Sequence, residues 1–150
     1  MLAAGERAPD FILLDHASSA TSLVSLLQHG PLILYFYPAD FTPVCTREAC
    51  LFRDAYAELN AAGLTVAGIS PDTPQSHARF RAEHAINYPL LSDPAKEAIG
   101  AYGVRGPFGI GIRRATFLID TAGMISSGVR ADLRLSRHEA FLRAAIAHAS

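Results

Sequence analysis

Two side chains in this sequence could carry redox chemistry unaided: Cys45 and Cys50, its only cysteines. A thiolate attacks peroxides and disulfides, and a second thiol nearby can take over the oxidised sulfur as a disulfide. Thiols five residues apart can equally be inert core residues, so the surrounding chain has to decide. A structural zinc site needs about four ligands in paired spacings. The histidines (His16, His29, His77, His84, His138, His148) are scattered, with no H-x-H or H-x3-H pair, so no metal or other cofactor is expected. A disulfide scaffold would need more cysteine than this.

The elements around the cysteines argue for chemistry. Leu32-Ile33-Leu34-Tyr35-Phe36-Tyr37 is a continuous apolar run closed by Pro38, as in a central strand buried on both faces. Thr42-Pro43 reads as the start of a helix that runs to about Asn60, since Thr is a good N-cap and Pro suits the first helical position. Cys45 is then the third helical residue, where free backbone N–H groups and the positive end of the dipole favour an anion. At about 100° per residue, Cys45, Ala49, Phe52, Tyr56 and Leu59 share one stripe, while Cys50 lies about 140° away with Arg53 and Asp54. In an intact helix, Cα atoms five residues apart stand about 8.6 Å from each other. A disulfide wants about 4.4–6.8 Å. A bond between the two sulfurs therefore requires the first turn to unwind, and the pair reads as transient.

The rest of the chain supplies a scaffold. Asp10–Leu14 and Thr21–Val24 read as an N-terminal hairpin, Leu64–Ile69 as a second buried strand, and Tyr88–Leu91 as a short extended piece. Helices are expected from Thr73 or Pro74 to about His84, and from Asp93-Pro94 to about Tyr102. Ala115–Ile119 and Met124–Arg130 flank the turn Asp120-Thr121-Ala122-Gly123. Ser136 reads as the N-cap of a last helix, with Glu139 completing a capping box. His77 and His84, among Arg79, Arg81 and Glu83, read as solvated. Gly103–Gly111 is a loop without the Gly-Lys-Ser/Thr ending or the strand–helix context of a phosphate-binding loop. The order predicts one α/β domain over 1–150: a central mixed β-sheet flanked by helices, with an N-terminal β-hairpin, resembling the thioredoxin fold with a helical insertion.

Composition narrows the function classes. Half the residues are apolar and 18% are charged, which excludes intrinsic disorder. A net charge of -1 leaves no basic footprint for nucleic acid or an anionic membrane. No apolar run approaches the roughly 18–20 residues that span a bilayer. Met1–Arg7 has neither a basic nor an apolar leader segment, so a cytoplasmic protein is expected.

Ionising the thiol is not enough for fast chemistry. A thiol with a pKa near 8.5 is about 3% thiolate at pH 7, so full ionisation gains at most about 30-fold. Lowering the pKa also lowers nucleophilicity. Donors aimed at the leaving oxygen are needed as well. Here Pro38-Ala39-Asp40-Phe41-Thr42-Pro43-Val44-Cys45 resembles the P-x-x-x-T-x-x-C signature of the peroxiredoxins. The stretches Tyr35–Asp54, Gly68–Asp72, Pro89–Asp93 and Arg114–Asp120 are similar to the bacterioferritin comigratory protein (Q) branch, in the variant with both cysteines on one helix.

The resemblance implies a thioredoxin-dependent peroxidase acting on hydrogen peroxide and organic hydroperoxides. Cys45 would be the peroxidatic cysteine and Cys50 the resolving one, joined in a redox-active disulfide that a thioredoxin-like protein reduces. It also implies that Thr42 hydrogen-bonds thiolate and peroxide, that Pro38 shields the pocket, and that Arg114 holds both oxygens, with Val44 and Cys45 N–H groups completing the donors. Strand alternation lets only one of Arg113 and Arg114 reach the pocket, and the family pattern favours Arg114. A monomer or weak homodimer is implied. Ala39, Phe41 and Val44 depart from the family pattern, and Gly103–Gly111 is short for the branch. An apolar Phe41 at the rim would favour organic hydroperoxides or offer a contact surface. The rival readings are a thioredoxin-like disulfide oxidoreductase, which would carry C-x-x-C and a proline where Arg114-Ala115-Thr116 stands, and a redox-sensing module.

Overall fold

A computed structural model describes residues 1–149. Its framework is one seven-stranded mixed sheet in the order β2-β1-β5-β4-β3-β6-β7. The strands are β1 (Ile12–Asp15), β2 (Ala20–Ser22), β3 (Leu32–Phe36), β4 (Thr65–Ser70), β5 (Leu90–Ser92), β6 (Ala115–Ile119) and β7 (Ile125–Arg130). β3, β4 and β5 are parallel, joined through helices α2 (Pro43–Ala61) and α3 (Pro74–His84), while β6 runs antiparallel to β3. The expected thioredoxin-like architecture is the one observed.

β3 is buried along its whole length, so its alternate residues build two cores. Leu32, Leu34 and Phe36 meet Phe117, Ile99 and Tyr102 on one face. Ile33, Tyr35 and Tyr37 meet Cys45, Ala49, Phe52 and Leu59 of α2 on the other, with Leu142 of α5 (Leu135–Ala149). Gly68 of β4 makes room for this second core. A Cβ there would stand 2.9 Å from both the Tyr35 ring and Leu90.

Four local expectations change. Residues after β2 form a helical turn, α1 (Leu23–Leu27), capped by Ser22. α4 (Glu97–Ala101) starts later than Asp93-Pro94, because Asp93 acts from outside the helix: its carboxylate accepts from the backbone N–H groups of Glu97 and Ile99. α5 starts at Leu135, which places Ser136 inside the first turn instead of at the cap. His77 is not solvated but wholly buried, because its ring reaches acceptors in distant elements that local sequence does not reveal.

Candidate active site

β3 ends under α2, and the turn between them, residues 37–42, delivers Cys45 to the face of the sheet near the C-terminal end of β3. Pro43 is the first residue of α2, which makes Cys45 the third, in the turn whose N–H groups have no intrahelical acceptor. Thr42 occupies the N-cap position, yet its hydroxyl caps nothing. It donates instead to the Ala39 carbonyl at 2.9 Å, which folds the turn back on itself. Cys45 is 2% exposed, on the stripe that also buries Ala49 and Phe52.

Arg114 comes from the start of β6. Alternation sends Thr116 and Arg114 to the face covered by α2 and α5, while Ala115 faces the opposite core. Its guanidinium is held on three sides: Nη2 donates to Cys45 Sγ at 3.1 Å, Nη1 to Glu48 Oε1 at 2.6 Å, and Nε to the Asp132 carbonyl at 3.0 Å. The Asp132 carboxylate takes the Arg114 backbone N–H at 2.9 Å and pairs with Arg113 at 3.2 Å. Of the two arginines only Arg114 bonds the sulfur, but both line an adjoining cleft, so strand alternation does not keep Arg113 from it.

Glu48 escaped the sequence reading, although it lies three residues after Cys45 on the same helical face. It is wholly buried. Burial pushes its carboxyl up to about 7, against the pull of the Arg114 charge and hydrogen bond. Its second oxygen has no hydrogen bond and faces His138 Nδ1 at 3.6 Å. His138 is fixed by Thr116 Oγ1 at 2.8 Å and the Ala131 carbonyl at 2.9 Å, and burial lowers its pKa.

Beside the guanidinium opens a cleft of about 350 Å³ lined by Pro38, Pro107, Ile110, Ile112, Arg114 and Leu133, among others. Its lining is mostly apolar, with Arg113, Arg114 and Asp132 as its charged members. Phe41 does not line this cleft. Its ring packs edge-on against Phe80 of α3 at 5.2 Å, with the Arg79 guanidinium 5.9 Å from the ring centre, so the apolar rim is made by the 107–112 loop and Leu133. Cys50 lies on the same unbroken helix as Cys45, half-buried, and both thiols are free. The structure thus brings together Pro38, Cys45 and Arg114, with Thr42 on the adjoining turn, and holds Cys50 on a different face of α2.

Such an arrangement places a buried sulfur against a fixed guanidinium that also lines a small cleft. The pattern of the AhpC/TSA family matches residues 4–127. The chain belongs to that family. A putative peroxiredoxin of Mycobacterium tuberculosis is 43% identical over 130 residues, covering 83% of this chain and 82% of the relative. Putative peroxiredoxin bcp of Coxiella burnetii is 43% identical over 129 residues, covering 82% and 85%. A structure of Xanthomonas campestris bacterioferritin comigratory protein, solved to study its alkyl peroxide reduction activity, superposes with a TM-score of 0.88 at 31% identity, covering 98% and 99%. Within the family the chain is a peroxiredoxin of the bacterioferritin comigratory protein (Q) branch.

Proposed function

We propose that this peroxiredoxin reduces hydrogen peroxide and organic hydroperoxides through Cys45. The reading is carried by the Arg114 fork, whose Nη2 meets Cys45 Sγ at 3.1 Å while its other groups are held by Glu48 and Asp132. The Cys45 thiolate attacks the terminal peroxide oxygen and the O–O bond breaks. Sulfur is oxidised to sulfenic acid, and the alkoxide or hydroxide leaves and takes up a proton. Arg114 and the N–H groups of Val44 and Cys45 stabilise the charge that moves onto oxygen. Thr42 orients the peroxide, and Pro38 keeps water from one side. The mostly apolar cleft walls accommodate an alkyl group, which supports organic hydroperoxides as substrates.

Cys50 then attacks the sulfenic sulfur, water leaves, and a Cys45–Cys50 disulfide forms. A thioredoxin-like dithiol reduces it, and a reducing compartment such as the cytoplasm fits that cycle. Stopped-flow mixing with peroxide tests this. Cys45→Ser is expected to abolish reduction, and Cys50→Ser to permit one turnover while losing thioredoxin-driven recycling. Slow peroxide reduction combined with fast insulin-disulfide reduction would establish the disulfide oxidoreductase instead.

A further inference from the structure

The turn that delivers Cys45 is gripped from behind by a buried aspartate–histidine pair that the chemistry above does not use. Asp40, five residues before Cys45, accepts from Tyr37 Oη at 2.6 Å, Ser76 Oγ at 2.8 Å and His77 Nδ1 at 2.7 Å. Its backbone N–H donates to Asp72 Oδ2 at 2.8 Å, an oxygen that also accepts from Ser70 Oγ at 2.6 Å. His77 Nε2 stands 2.9 Å from the Leu91 carbonyl. The side chains of the pair are 0% and 1% exposed.

Donor bookkeeping orients the ring. A carbonyl only accepts, so Nε2 carries a proton and Nδ1 is the atom turned to Asp40. The bond between Nδ1 and the carboxyl is sealed from water, where losing either partner leaves the other unsatisfied. Between this clamp and the sulfur stands Phe41 at φ +64°, in the left-handed region that bulky side chains avoid, with its ring against Phe80 of the same helix that supplies His77. Strain of that kind persists only where the surroundings over-determine the backbone. α3 therefore holds the turn at two successive residues, Asp40 and Phe41.

We infer that Asp40 and His77 are positioning residues for the peroxidase reaction: their bond fixes the turn at residues 37–42, and so the placement of the Thr42 hydroxyl and the Val44 and Cys45 N–H groups against Arg114. The inference rests on the peroxidase reading. The deciding bond is His77 Nδ1 to Asp40; the one from Nε2 to Leu91 only orients the ring. Asparagine can stand in for Nδ1 and glutamine for Nε2, which separates the two roles.

The test uses the full chain carrying Cys50→Ser, with Cys45 oxidation by hydrogen peroxide and its alkylation by iodoacetamide both followed by rapid quench and mass spectrometry. Asp40→Asn and His77→Gln are expected to slow oxidation at least about ten-fold, whereas His77→Asn stays within about three-fold of the parent, because small misplacements of reacting groups cost that much or more. Folded variants with parental rates, or His77→Asn and His77→Gln falling equally, would overturn the inference. Should the Asp40 and His77 variants fail to fold, Tyr37→Phe decides, since it removes one donor from Asp40 and leaves the pair intact; an unchanged rate there overturns it too. A parent that alkylates but leaves peroxide intact would refute the peroxidase reading, while the alkylation rates of the variants would still judge the clamp.

Discussion

Arg114 faces two partners: the sulfur proposed to attack peroxide and the buried Glu48 carboxylate. Its planar fork can meet both because its geometry is rigid, whereas a lysine ammonium is a point charge on a flexible stem. Arg114→Lys keeps the charge and loses the second contact. Peroxide reduction by that variant is expected to fall about 100-fold, the usual loss for one donor to a developing oxyanion, as read by stopped-flow single turnover. The likeness to the peroxiredoxin signature singled out Pro38, Thr42, Cys45 and Arg114, and the structure sets Arg114 against Cys45. Glu48 was not legible, because the helical stripe was read for apolar residues and a carboxylate on a buried face finds its reason only in a guanidinium from a distant strand. His77 was misread for the same reason: arginines and a glutamate surround it in sequence, but its partners are Asp40 and the Leu91 carbonyl.

At the scale of the element, α2 carries both sulfurs on a helix with no break between Pro43 and Ala61, and the disulfide proposed above would require its start to come apart. One tie across that region comes from outside the helix. The Tyr88 hydroxyl donates to the Ala49 carbonyl at 2.9 Å and is itself 2.8 Å from the Tyr35 hydroxyl, all buried. Tyr88→Phe removes that tie and keeps the ring, which packs edge-on against Phe52. A buried hydrogen bond is worth about 1 kcal/mol, so disulfide formation after a peroxide pulse is expected to speed up about five-fold, with the initial oxidation of Cys45 unchanged. Quenching at intervals and counting free thiols measures both steps. The span of α2 was readable because Thr-Pro marks its start and its apolar stripe runs to Leu59. The starts of α4 and α5 were not, because Asp93 caps from a distance and Leu135 begins its helix ahead of the apparent cap.

For the whole molecule, the strand types and helix order followed from buried runs and turn residues, but the sheet order did not, since which strands neighbour β3 depends on crossovers rather than on any local pattern. The buried Glu48 couples this fold to pH. Its carboxyl titrates at about 7 when folded, against 4.5 in the open chain, so the folded state holds its proton more tightly. That contribution to stability is complete below pH 4.5 and is lost as pH rises through about 7. Thermal melting from pH 5 to pH 8 is expected to show a decline in the parent that Glu48→Gln flattens.

The recessed sulfur also sets an order of encounter. Cys45 is buried and Cys50 half-buried, so a large maleimide is expected to label Cys50 well before Cys45, as peptide mapping over time would show. A partner protein faces the same obstacle. On the cycle proposed above, a protein reductant would engage only molecules whose helix has opened, so untouched copies, however abundant, would not act as decoys for it.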